Sequence, residues 1–267
     1  MSVSASAAVV SDAAVAADTV LNVAAYRFVS IDDPPALAAQ LRTRAEAADL
    51  RGTILIAGEG INLFLAGEDA ALRGFVQILH ADARFAAMPV KFSRSAATPF
   101  ARLKVKIKPE IISFRRGAIV PEAARAPAVD PATLARWIGQ GADDAGRRLV
   151  LLDTRNREEV AHGSFEGALT LPIDRFTELP DAVGALADTL KDATVVSFCT
   201  GGIRCEKAAL WMRAQGLDNV LQLDGGILGY FEHVGGYGYA GRCFVFDERV
   251  ALDPDLVPLA DVASDRD

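Results

Sequence analysis

Val195-Val196-Ser197-Phe198-Cys199-Thr200-Gly201-Gly202-Ile203-Arg204-Cys205-Glu206-Lys207-Ala208-Ala209-Leu210-Trp211-Met212-Arg213-Ala214 decides how the second half of the chain folds. It opens on an apolar run suited to a buried parallel strand. It closes on good helix formers whose apolar residues recur at helical spacing. Between the two, adjacent glycines let the backbone turn back with its N–H groups pointing inward. The Cys199 sulfur then sits in a cup of amide dipoles, at the positive end of the following helix and beside the Arg204 guanidinium. Each of these lowers a thiol pKa. Cys199 therefore reads as a thiolate nucleophile, with Thr200, Gly201, Gly202, Ile203 and Arg204 as its loop. Arg204 is expected to fold over the loop mouth and act electrostatically.

Outward from this stretch, apolar runs alternate with helical segments. Leu149–Leu152, Leu169–Pro172 and Asn219–Leu223 are the other strands, and Pro131 starts a helix that runs to Gln140. The alternation argues for a parallel sheet flanked by helices. The first half reads differently. A strand over Asn22–Ser30 precedes a helix opened by Asp32-Asp33-Pro34-Pro35. A hairpin follows, Gly52–Ala57 returning through Ile61–Gly67, then a helix to about His80 and strands at Pro89–Phe92 and Leu103–Ile107. The order strand, helix, strand, strand, helix, strand is that of a ferredoxin-like, or acylphosphatase-like, α+β domain. The fold class is α/β overall.

Composition narrows the function classes. The chain has 267 residues, 51% of them hydrophobic, with a formal net charge of -7. It is not a basic nucleic-acid binder as a whole, and no apolar run reaches the length of a membrane span. Three cysteines do not make a disulfide framework, which argues for a reducing, cytoplasmic compartment. The first 20 residues lack a basic region and contain Asp12 and Asp18, so they read as an unstructured tail and not as a signal peptide.

One local excess of charge stands against that total. Arg102, Lys104, Lys106 and Lys108 alternate with Leu103, Val105 and Ile107, so a strand puts the four cations on one face and the apolar residues toward the core. Such a stripe tracks a phosphate backbone. Phe92, Phe100 and Phe114 lie nearby, and an exposed ring among them could stack on a base.

Cys199 to Arg204 resembles the six-residue active-site loop of the rhodanese family. Leu152-Asp153-Thr154-Arg155 followed by Glu158, His162-Gly163-Ser164-Phe165-Glu166-Gly167-Ala168 and Leu223-Asp224-Gly225-Gly226-Ile227 resemble that family's supporting motifs, the second with an unusual Ser-Phe-Glu insert. The run Phe198–Ala209, the hairpin Gly52–Gly67 and Arg242–Val250 are similar to one subfamily, the rhodanese-domain tRNA uridine-34 hydroxylases. The resemblance implies an oxygen-dependent enzyme that makes 5-hydroxyuridine at the wobble position, with tRNA and its anticodon loop as partner, molecular oxygen as co-substrate and the loop cysteine required. Members with a further cysteine-rich C-terminal segment could build a zinc site there; here only Cys243 is present.

The domains expected are a tail over 1–20, the ferredoxin-like domain over 21–109, a proline-rich linker and helix over 110–140, the rhodanese domain over 141–240 and an extension over 241–267. Asp153 and Arg155 are expected to form a buried ion pair that braces the loop. Glu206 and Lys207 read as solvated helix surface, and Cys205 and Cys243 as buried packing residues, although Cys205 could resolve an oxidised Cys199. His80, His162 and His233 have no acidic neighbours at metal-ligand spacing, and there is no GxGxxG or Walker sequence, so neither a metal nor a tightly bound cofactor is expected. A persulfide-carrying sulfurtransferase is the alternative function, since the same loop amides suit a terminal sulfur anion.

Overall fold

A computed structural model describes residues 20–116, 121 and 125–259. The tail assigned to 1–20 lies, Val20 apart, outside them. The N-terminal domain contains β1 (Val20–Phe28), α1 (Pro34–Ala47), β2 (Arg51–Ala57), β3 (Gly60–Gly67), α2 (Asp69–His80), β4 (Val90–Ser95) and β5 (Leu103–Ile107). Asp33 caps α1 through Ala36 N–H with prolines in its first turn, and Glu68 caps α2 through Ala71 N–H. The strand order is β4-β1-β3-β2-β5, antiparallel except for β5, which runs parallel to β2. One face carries Leu21, Val23, Ile54, Ile56, Leu63 and Leu65, which are buried with Leu41, Leu72 and Phe75 of the two helices. The opposite face, with Ala24, Tyr26, Thr53, Leu55, Asn62 and Phe64, is covered by neither α1 nor α2.

The second domain begins earlier than Gly141. Ala128–Val129 forms β6, which pairs in parallel with β11 (Val220–Leu223), and α3 (Pro131–Gln140) packs in the same core. A two-residue strand among prolines has no period of its own, so its sheet membership shows only through pairing. The remaining elements are β7 (Leu149–Asp153), α4 (Arg157–Val160), β8 (Gly163–Phe165), β9 (Leu169–Thr170), α5 (Leu179–Gly184), α6 (Ala187–Leu190), β10 (Thr194–Phe198), α7 (Ile203–Ala214), α8 (Gly226–Val234), β12 (Tyr239–Gly241), β13 (Cys243–Phe244) and β14 (Ala251–Leu252). The sheet runs β6-β11-β10-β7-β9, all parallel.

Both faces of this sheet are covered, which explains why its central strands are apolar without alternation. Val150, Leu152 and Val195 pack with Ala208, Ala209 and Met212 of α7 on one side. Leu151, Val196 and Phe198 pack with Leu134, Trp137, Ile227 and Tyr230 on the other. From β7 the chain goes to β9 at one edge, and from β10 it goes to β11 on the opposite side. The carboxyl ends of β7 and β10 therefore flank a topological switch point, the crevice where open α/β sheets bind ligands.

Candidate active site

The loop after β10 holds Cys199 over the first turn of α7. Gly202, the N-cap of α7, has φ 100°, a left-handed conformation that glycine adopts at no steric cost. Its N–H donates to Cys199 Sγ at 3.2 Å. The loop is pressed from below by the Gly225-Gly226 turn. Ile227 N–H donates to Cys199 O at 2.9 Å and Leu228 N–H to Thr200 O at 3.1 Å. A Cβ on Gly226 would lie 2.5 Å from Cys199 O, so no larger residue fits there.

Burial is the largest influence on the Cys199 thiol and pushes its pKa up. It is outweighed by a hydrogen bond from the Cys205 thiol, the Arg204 charge and the N–H groups of Arg204 and Cys205, which bring it down to about 5. Cys199 is thus a thiolate at neutral pH. Cys205 shifts the other way: burial, and then the neighbouring Cys199 sulfur, push it well up, so it stays a thiol. It is the third residue of α7, and helical side chains lean toward the N-terminus, which here is the loop. Cys243 is also buried, and burial pushes it up to about 12.

Arg204 does not swing free over the mouth. Its guanidinium makes two 2.6 Å hydrogen bonds to the Glu159 carboxylate, and both side chains are buried. Glu159 sits on α4 in a capping box with Asn156, so the end of β7 fixes the guanidinium beside Cys199. The sequence motif singles out Glu158 instead; only the fold decides which of two adjacent acids turns inward. Asp153 and Arg155 form a wholly buried ion pair, 2.7 Å between Nη2 and Oδ2, with Ser164 donating to Asp153 and Arg155 donating to Gly163 O. They hold β7 to β8 and do not line the cleft.

The second wall of the site comes from the N-terminal domain. A cleft of about 1680 Å³ lies between Cys199, Thr200, Gly201 and Arg204 on one side and the helix-free sheet face on the other, including Tyr26, Asn62 and Phe64. The Tyr26 hydroxyl donates to Glu206 Oε1 at 3.1 Å, and Arg125 bridges Glu206 and Asp224 at 3.0 and 2.9 Å. Lys207 Nζ donates to Glu59 Oε1, Glu110 Oε1 and Ile112 O at 2.8, 3.0 and 3.1 Å. Glu206 and Lys207 are therefore interdomain ties, 8% and 1% exposed, and not solvated helix surface. Lys91 donates to Gly225 O, and Arg249 of the C-terminal extension donates to Ser93 Oγ at 2.6 Å. Phe28, Ala57 and Ile111 bury a small apolar cluster with Tyr26 and Ile203 at the same junction.

Arg102, Lys104, Lys106 and Lys108 are exposed, and among the described residues none has an ion-pair partner. Lys104 and Lys106 stand beside Thr53 and Leu55 of β2, on the helix-free face, and Lys108 lines the cleft. The apolar side of this strand is shorter than the alternation implied. Val105 is buried and Leu103 packs against the core, but Ile107, the last residue of the edge strand β5, is 50% exposed. Phe114 is buried against Phe176 and Trp211 and is not free to stack; Phe92, half-buried with Arg73 over its ring, and Phe100 both line the cleft. Among the described residues no three His, Cys, Asp or Glu side chains gather as metal ligands, and no helix is long and apolar enough to cross a membrane.

Residues 20–111 match the UPF0176 acylphosphatase like domain and residues 130–233 match the rhodanese-like domain. A protein of Xanthomonas campestris pv. campestris (strain B100) called tRNA uridine(34) hydroxylase is 66% identical over 245 residues, 92% of this chain and 97% of that relative. The chain belongs to the tRNA uridine(34) hydroxylase family. A relative of the same name from Xylella fastidiosa (strain M23) is 65% identical over 243 residues, 91% of this chain and 95% of its own length. In this family member the two matched domains meet at the Cys199 loop, through Tyr26, Glu206 and Lys207.

Proposed function

We propose that this protein is a tRNA uridine(34) hydroxylase which forms 5-hydroxyuridine at the wobble position from molecular oxygen, with the Cys199 thiolate as the reactive group. The observation that carries the reading is geometric. Cys199 lies at a cleft whose other wall is the open sheet face; Lys108 lines it, Lys104 and Lys106 stand beside Thr53 and Leu55 on the same face, and Arg102 is exposed just before them in the chain. A stacked base cannot reach a buried sulfur, so U34 would enter the cleft extruded from the anticodon loop while the stripe holds phosphates. Thr200, Gly201, Gly202 and Ile203 shape the loop, Arg204 and its amides hold the negative charge on sulfur, and Asp153 with Arg155 brace the strand end that carries Glu159. A thiolate adding to C6 of uracil would enrich C5 in electron density, a chemically reasonable entry to oxidation at C5. Partner and thiol chemistry both suit the cytoplasm.

The test is nucleoside analysis of tRNA from cells with and without the gene, complemented by wild type or Cys199→Ser. Loss of 5-hydroxyuridine on deletion, restored by wild type alone, supports the reading. The loop amides would equally stabilise a persulfide, so the sulfurtransferase alternative is tested in parallel: a stable added sulfur on Cys199 after thiosulfate, with 5-hydroxyuridine unchanged on deletion, favours it.

A further inference from the structure

Cys205 has no task in the chemistry above, yet it follows the Cys199 loop in the first turn of α7 and each of the two sulfurs acts on the charge of the other. Both residues are wholly buried. The cleft touches Cys199 and does not touch Cys205. Behind Cys199, Cys205 Sγ rests 3.6 Å from Thr154 Oγ1, which is fixed by a 2.9 Å hydrogen bond to Phe198 O. The site therefore holds one thiolate at the cleft and, behind it, one buried thiol that rests against Thr154.

Hydroxylation by dioxygen leaves an oxygen atom over. One atom replaces the C5 hydrogen of uridine; the other needs two electrons and two protons to leave as water. A dithiol closing to a disulfide supplies both. We infer that Cys199 and Cys205 together are the two-electron donor of the hydroxylation, with Cys205 a catalytic residue that closes a disulfide onto Cys199 in each turnover. This rests on the hydroxylase reading.

In the first step the O–O bond breaks. One oxygen bonds to C5, and the other ends on the Cys199 sulfur as a sulfenic acid, the sulfur being oxidised by two electrons. The S–C6 bond breaks before the sulfur takes its oxygen, and the C5 hydrogen and one proton from solvent become the two hydroxyl hydrogens, since Cys199 enters as the thiolate. In the second step the Cys205 sulfur attacks the Cys199 sulfur, the S–O bond breaks, and the hydroxyl leaves as water with the Cys205 proton. A cellular thiol reductant then opens the disulfide. Of the two cysteines only Cys199 lines the cleft, so exchange starts there, releasing Cys205 first and then Cys199, whose low pKa makes it a good leaving thiolate.

The full chain is reduced, freed of reductant without air, and mixed in aerated buffer with a tRNA transcript carrying unmodified U34. The expected result is about one 5-hydroxyuridine per protein, loss of about two thiols and a Cys199–Cys205 cross-linked peptide in a non-reduced digest, with repeated turnover on adding a dithiol. Cys205→Ser should stop after the same single turnover with Cys199 as a sulfenic acid that dimedone traps, a label nearly absent from wild type. Repeated turnover without reductant and with all thiols free overturns the proposal; so does a single turnover that leaves both thiols titratable. The wild-type stoichiometry reads the proposal even if the variant fails to fold. No 5-hydroxyuridine in any arm, dithiol included, refutes the hydroxylase reading and this inference with it; 5-hydroxyuridine without thiol loss refutes the inference alone.

Discussion

Replacing Lys104 and Lys106 together by Gln tests whether the basic stripe meets phosphate. Both side chains are exposed and stand on the helix-free face beside Thr53 and Leu55, while Val105 between them stays in the core. The variant should melt with the wild type, because no buried side chain is altered. Each phosphate contact contributes about 0.7 to the slope of log affinity against log salt on single strands and about 0.9 on duplex. With neither lysine left to meet a phosphate, the slope should flatten by about 1.4 to 1.8. Between 50 and 200 mM salt, a fourfold change, wild-type affinity should then fall about 7 to 12 times further than that of the variant. Filter binding or anisotropy with a labelled tRNA anticodon arm reads this directly. Iodoacetamide labelling of Cys199 should proceed at the wild-type rate, since the loop is unaltered. Parallel salt plots for the two proteins would remove Lys104 and Lys106 from the RNA site and leave the face without its assigned partner.

Cys199→Ser should fold normally and abolish 5-hydroxyuridine formation, because a hydroxyl does not ionise in this loop as a thiol does; tRNA nucleoside analysis and circular dichroism check the two halves. The depressed pKa of Cys199 keeps the thiolate populated as pH falls, so alkylation should be nearly flat from about pH 8 to 6 and decline only near the pKa of about 5, whereas an ordinary thiol slows about tenfold per unit over that range. A tenfold loss per unit between pH 8 and 6 would show that the loop does not hold the thiolate. Lys207→Met leaves Glu59 and Glu110 facing each other without their cation. Breaking such a buried pair costs about 3–5 kcal/mol, and since the two carboxylates keep some contact with water the loss in urea unfolding should lie near about 2–3 kcal/mol. A change below about 0.5 kcal/mol, the size typical of an ordinary surface site, would mean that Lys207 does not tie the domains.

The parts of the fold with a strong local signal are legible in the sequence. The runs Leu149–Leu152 and Val195–Phe198 are buried on both faces and show it, and Pro131 marks the start of α3 to the residue. The hairpin β2–β3 is equally plain. What is not legible depends on partners far away in the chain. Lys207 is a polar residue on a helix, and nothing within its own turn says that Glu59 and Glu110 will close around it. Glu159 finds Arg204 across the end of the sheet. Ala128–Val129 is a strand only because Gln222 and Leu223 lie beside it. Cys205 differs from these, because its place follows from local geometry: spacing around the helix axis turns it away from Cys199, and the backward lean of first-turn side chains brings it back.

That lean also explains why the first turn of α7 can serve two ends. Its N–H groups and Cys205 face the Cys199 sulfur, while Glu206 and Lys207, the next two residues, face the N-terminal domain. Residues one apart on a helix point about 100° from each other, so a single turn presents both sides. A rhodanese loop alone offers one wall, enough for a small anion held by backbone amides. A nucleobase needs a second wall at a fixed separation from the sulfur. Tying Tyr26 to Glu206 and Glu59 to Lys207 sets that separation through the helix that positions the thiolate itself. A shift of the sheet face is then a shift of the sulfur's own hydrogen-bond donors. Truncating the N-terminal domain should for that reason change the reactivity of Cys199 toward small alkylating agents, whereas neutralising the distal cations Lys104 and Lys106 should not.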